Sequence, residues 1–253
     1  PENLTSIGNS AFEYCDFTGS LIIPDGVTSI GDYAFDYCEF TSVLSYAITP
    51  PAAESNSFEY SWYGNNSTVY AKLFVPEESV ETYSSTSPWN NFNTITALPD
   101  FENYEIEIKD GENVLYSLVF NMLPDKSGLE VKIGQIPTTE TELNIPESVD
   151  INNSGLVLNV TSIAENAFND EAQDNTGCEM FTSINLPTSI RSIGKNAFSG
   201  CSRVNSIKSL RTTPPTTGEN CFDGISNSTD IYVLYEALDR YDITPWNSFN
   251  LIG

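Results

Sequence analysis

One phrase is written four times in this chain: "SIGNSAF" at 6–12, "SIGDYAF" at 29–35, "SIAENAF" at 162–168 and "SIGKNAF" at 192–198. The first two copies are 23 residues apart and the last two 30. The source of the difference can be located. A cysteine follows the repeat phenylalanine by three at Cys15, Cys38 and Cys201, but by ten from Phe168 to Cys178, so "NDEAQDNTG" holds an insertion. After the cysteine the pattern resumes, with Pro24 nine beyond Cys15 and Pro187 nine beyond Cys178.

A repeat of this length is one supersecondary unit that cannot bury its apolar face alone; stacking it on its neighbour can. Written out, the unit is C-x-x-φ-x-x-φ-x-φ-P-x-x-φ-x-S-I-G-x-x-A-F-x-x-C, where φ is apolar. The alternation in "FTSINLP" (181–187), stopped by proline, predicts a short strand. The small residues Gly31, Ala34, Gly194 and Ala197 allow tight turns and close approach between coils. The expectation is a solenoid with parallel strands along one face, the isoleucines and phenylalanines pointing inward.

The phrase S-I-G-x-x-A-F-x-x-C, followed by an alternating strand that ends in I-P or L-P, resembles the BspA-like leucine-rich repeat family. The direct repeats cover about a third of the chain, and flanking blocks extend the likeness. "TPPAAESNSF" (49–58) is echoed by "TPPTTGENCF" (213–222), and "SPWNNFNTI" (87–95) by "TPWNSFNLI" (244–252). These look like the C-terminal end pieces of such solenoids. Each predicts a short helix, at "PEESVETY" (76–83), with proline and acids in its first turn, and at "YEALDRYD" (235–242).

The fold class implied is α+β and β-rich: a leucine-rich-repeat solenoid of two tandem modules with short parallel strands, a β-rich N-cap and a cap carrying a short helix. Residues 1–98 form a module read as lacking its N-cap, because the chain starts in mid-repeat at "PENLTSIG". Residues 99–253 form a second module, with an N-cap over 99–160, repeats over 161–212 and a C-terminal cap over 213–253. Within that N-cap, "YEIEIKDGENVLYSLVF" (104–120) predicts a hairpin turning at Asp110-Gly111, and "INNSGLVLNV" (151–160) a second arm turning at Asn-Ser-Gly. "ALPDF" (97–101) is the junction.

Composition narrows the chemistry. The 253 residues carry 35 Asp or Glu against 10 Lys or Arg, a formal charge of −25. Such a surface repels phosphate backbones and anionic lipid, which argues against nucleic acid and membrane-surface partners. No apolar run approaches the roughly 20 residues of a membrane span. Histidine is absent, and with it Ser-His and Cys-His nucleophiles and every His-containing zinc site. The five cysteines, Cys15, Cys38, Cys178, Cys201 and Cys221, contain no C-x-x-C pair. Their repeat position predicts inward-facing free thiols, with Cys15–Cys38 or Cys178–Cys201 bridges between adjacent coils as the alternative, since coil spacing falls within disulfide range.

Acidic groups occur at Asp170, Glu171 and Asp174 and at Glu77, Glu78 and Glu81, but without a calcium-loop pattern. No catalytic residue, cofactor or metal ligand is assigned; calcium is the one ion these groups leave open. The informative side chains are aromatic residues that the repeat does not require: Tyr14, Tyr33, Tyr37, Tyr60, Trp62 and Tyr63. Equivalent positions align in a stacked solenoid, so Tyr14 and Tyr37 should form a ladder able to stack on a sugar or protein partner. The resemblance implies a bacterial, extracellular or cell-surface, non-enzymatic adhesion module that recognises host or microbial surface proteins. The alternatives are a carbohydrate-binding module and a structural spacer.

Overall fold

The computed structural model describes residues 3–58, 69–99, 101–134, 140–169 and 178–253. They divide into two compact units, 1–100 with 149–158, and 101–148 with 159–253.

In the first unit each turn of chain contributes two strands. The Ser-Ile of the repeat phrase forms a two-residue strand, so Ser6–Ile7, Ser29–Ile30 and Ala52–Ala53 line up in parallel. The segment before the repeat proline forms the longer ladder, Thr18–Ile23, Glu39–Ser45, Val69–Val75 and Phe92–Ala97, also parallel. Between the ladders lies the core, which includes Ile7, Ile30, Phe35, Val43, Leu73 and Trp89. Full burial of each such side chain contributes about 2–3 kcal/mol. The repeat phenylalanines stack as a column that enters this core from exposed Phe12, Phe12 on Phe35 at 5.4 Å and Phe35 on Phe58 at 5.5 Å. The glycine of the phrase is needed for close approach. A Cβ on Gly31 would lie 2.5 Å from the Asn9 amide nitrogen, and one on Gly194 would lie 2.6 Å from the Ala164 carbonyl carbon.

The end piece closes the column. A 3₁₀ turn at Glu77–Ser79 runs into the helix Val80–Ser85, which brings Tyr83 against Trp89, and Trp89 against Phe58. Both polar tips find partners inside: Trp89 Nε1 donates to the Pro51 carbonyl at 2.8 Å, and Tyr83 Oη to the Ala47 carbonyl at 2.9 Å. The segment Val149–Leu158 also belongs to this unit. It turns through Gly155 (φ 83°), and its Val157 amide donates to Ser20 Oγ at 3.1 Å.

The second unit repeats the scheme. Its long ladder is Glu142–Asn144, Ser183–Leu186, Ser206–Ser209, Asp230–Tyr232 and Asn250–Ile252, all parallel. Phe168, Phe198 and Phe222 stack in turn, ending on Trp246. Its helix Leu238–Tyr241 follows a 3₁₀ turn. Tyr241 pairs with Ser209 Oγ at 2.7 Å as Tyr83 pairs with Ser45 Oγ at 2.8 Å. Tyr104–Asp110, Asn113–Met122 and Leu129–Ile133 form an antiparallel meander. Its last strand passes into the parallel short ladder by pairing Val131 with Ile163.

Candidate functional site

In most coils the repeat holds residues in the left-handed region at two places, one two residues before the phenylalanine and one two residues after it. In the second unit these places hold the residues that tolerate that backbone best. Asn166, Asn196 and Asn220 (φ 54°, 54° and 56°) take the first, and Gly200 and Gly224 (φ 85° and 84°) the second. In the first unit the same places hold Ser10 and Tyr33 (φ 51° and 54°), then Tyr14 and Tyr37 (φ 57° and 58°). A bulky side chain there is a genuine outlier, costing on the order of 1–2 kcal/mol per residue.

Backbone bonds between coils hold the bend in place. The Tyr14 amide donates to the Asp36 carbonyl at 2.9 Å and the Ser10 amide to the Asp32 carbonyl at 2.8 Å. With the backbones in register, the Tyr14 and Tyr37 rings stack 4.5 Å apart and 11° from parallel. The stack is open to solvent, with Tyr14 64% exposed and Tyr37 half-buried, and Tyr33, in the turn before Tyr37, is 39% exposed. Its surroundings are anionic. Asp16 and Glu39 are exposed beside it, and no Lys or Arg occurs anywhere in 3–58.

Three of the six aromatic residues singled out from the sequence are thus gathered on one set of bends. Tyr60, Trp62 and Tyr63 lie outside the described residues, as do Asp170, Glu171 and Asp174. Glu77, Glu78 and Glu81 are exposed on the end-piece helix and the turn before it. Among the described residues no group of three or more His, Cys, Asp or Glu could hold a metal ion.

The cysteines divide. Cys15, Cys38 and Cys221 are free thiols, as the repeat position predicts, and Cys38 Sγ donates to the Phe12 carbonyl at 3.1 Å. Burial raises the pKa of Cys38, with the Cys15 backbone opposing it, and pushes Cys221 up to about 11. Cys178 and Cys201, by contrast, are joined in a disulfide, with Cα atoms 5.2 Å apart. Here the free-thiol expectation fails, because inward-facing cysteines on adjacent coils come within bonding distance.

Sequence reasoning passed over a second surface, the outward column of the second unit's long ladder. Asn144, Asn185, Lys208 and Tyr232 are consecutive partners there. Asn185 Nδ2 bridges Glu142 Oε1 and Asn144 Oδ1, each at 2.6 Å, and Tyr232 is exposed. The alternation in each short strand carried that signal.

Comparison with a family model agrees with the architecture. A model of the BspA type leucine rich repeat region matches residues 1–97 and 146–240. A leucine-rich repeat protein of known structure from Bacteroides capillosus ATCC 29799 is 22% identical, with a TM-score of 0.38 over 58% of this chain and 99% of its own. A leucine rich cell surface protein from Faecalibacterium prausnitzii A2-165 is 16% identical, with a TM-score of 0.31 over 92% of this chain and 74% of its own. Among curated proteins no sequence matches. No helix among the described residues is long and apolar enough to cross a membrane. With the family model matching both halves of the repeat array, the chain belongs to the BspA type leucine-rich repeat family.

Proposed function

We propose that the chain is a non-enzymatic, extracellular binding module of a bacterial surface protein, and that it recognises a basic segment of a partner protein through Tyr14, Tyr33 and Tyr37. One observation carries the reading. Three tyrosines occupy left-handed positions that the second unit fills with Asn and Gly, so the fold bears a conformational cost for side chains it does not need. The partner's chemistry follows from the setting. An exposed aromatic pair beside Asp16 and Glu39, on a segment without a single cation, attracts a guanidinium by cation–π contact and by charge. Localisation at the cell surface rests on the family resemblance.

The test is binding of the full chain to arrayed basic peptides, acidic peptides of matched composition and glycans, with the Tyr14→Ala/Tyr37→Ala double variant alongside. Salt-sensitive binding to the arginine-bearing peptides, weakened at least tenfold in the double variant, supports the proposal. Binding confined to glycans and lost in the same variant would replace it with the carbohydrate reading. No tyrosine-dependent binding in any arm leaves the spacer role.

A further inference from the structure

The second unit bridges Cys178 to Cys201 across 23 residues, and Cys15 and Cys38 are separated by the same number. The local geometry is shared. Cys15, Cys38 and Cys201 each follow the repeat phenylalanine by three, and each returns its amide to that phenylalanine's carbonyl, at 3.1, 3.3 and 3.2 Å. Cys38 Sγ lies 3.1 Å from the Phe12 carbonyl of the preceding coil, and Cys201 Sγ lies 3.7 Å from that of Phe168. The coils bearing Cys15 and Cys38 are in register on both sides, through the Tyr14–Asp36 bond before the cysteines and the Thr18–Glu39 pairing after them. Parallel neighbours lie about 4.8 Å apart, inside the Cα range of a disulfide.

We propose that Cys15 and Cys38 are an oxidative cross-linking site of the first unit, closing to an inter-coil disulfide when a small-molecule disulfide such as oxidised glutathione is present. Cys15, the more open of the two, loses its proton to solvent and attacks the oxidant, forming a mixed disulfide and releasing one glutathione thiolate. Cys38 then loses its proton, gives up its bond to the Phe12 carbonyl and attacks Cys15 Sγ, releasing the second. Two protein thiols are oxidised to one disulfide, and one glutathione disulfide is reduced to two thiols. Burial of Cys38 holds back its thiolate, so closure accelerates as pH rises from 7 to 9.

The experiment is peptide mapping of the full chain after incubation with oxidised glutathione and blocking of residual thiols. Asp-specific cleavage before Asp16 and Asp36 places the two cysteines on separate peptides. Trypsin, cutting after Arg191, does the same for Cys178 and Cys201. The expected result is a Cys15–Cys38 linked pair that dithiothreitol dissolves, formed faster at pH 9 than at pH 7. Recovery of Cys15 and Cys38 only as blocked or glutathionylated monomers, while Cys178–Cys201 is linked in the same digest, would overturn the proposal. So would Cys15 found only in links between chains.

Discussion

Two residues past the repeat phenylalanine the second unit carries Gly200 and Gly224, and the first carries Tyr14 and Tyr37, all with φ between 57° and 85°. The cores around these places are near copies. The phenylalanine columns, the Tyr83–Trp89 and Tyr241–Trp246 end pieces, and the inward tyrosine hydroxyls on Ser45 and Ser209 recur with the same partners. Divergence is therefore concentrated where side chains leave the core. The second unit uses the residues its backbone prefers, whereas the first departs from them three times in the same direction, towards tyrosine. A repeat protein offers this internal control because each coil states what the fold alone requires.

The largest expected effect bears on how far the copied end pieces hold their units. Each unit stacks few standard repeats, fewer than a solenoid usually needs to stand without capping. Removing 222–253 takes away Phe222, Ile231, Tyr241 and Trp246 together, all of them buried. The second unit should then lose its cooperative thermal transition altogether while that of the first survives. A truncated chain that keeps both transitions would show that the end piece is decoration.

A smaller effect tests whether the end pieces are equivalent. Burial raises the pKa of Tyr83 from 10 to about 12, with the Ser45 hydrogen bond opposing, and burial raises that of Tyr241 in the same way. A raised folded-state pKa means the unfolded chain ionises first. The stabilisation is therefore intact below pH 10 and is lost as pH climbs through about 12. Tyr83→Phe should cost about 1 kcal/mol at neutral pH through the lost hydrogen bonds and flatten the alkaline limb of the first unit's stability curve. Thermal melts from pH 8 to 12 measure both, and an unchanged alkaline limb would place the titration elsewhere.

The solenoid was legible because its constraints repeat in sequence. Ile30, Ala34, Phe35 and Cys38 return in the second unit as Ile193, Ala197, Phe198 and Cys201, and the need for a small residue at Gly31 and Gly194 is written four times over as S-I-G or S-I-A. Trp89 and Trp246 announced the end pieces in the same way. What stayed hidden was conformation that residue identity masks. Tyrosine says nothing of a left-handed backbone, so although aligning the repeats sets Tyr37 at the place of Gly200, and Tyr33 at that of Asn196, the meaning of that correspondence became visible only once φ was known. Which cysteines bond was hidden for a related reason. Cys15–Cys38 and Cys178–Cys201 share one spacing, and spacing cannot say which pair is bonded. The Asn144–Asn185–Lys208–Tyr232 column eluded notice although its strands alternate, because the repeat motif marks the inward positions and says nothing of the outward ones.

The smallest expected change in stability tests the central contrast most sharply. Tyr37→Gly relieves a left-handed bulky residue, a gain of about 1–2 kcal/mol. It also removes the stack with Tyr14, a loss of about 0.5–1.5 kcal/mol. The two partly cancel, leaving a net change between a loss of about 0.5 and a gain of about 1.5 kcal/mol, so the melting temperature of the first unit should fall by no more than about 4 °C. The reciprocal change, Gly200→Tyr, introduces the strain with no facing ring to stack on, since the equivalent place in the next coil is Gly224. It should destabilise the second unit by about 1–2 kcal/mol. The asymmetry is the point. If Tyr37→Gly instead lowers stability as much as removal of a core aromatic does, about 3 kcal/mol or more, Tyr37 is a packing residue. The tyrosines at the bends would then need no partner to explain them.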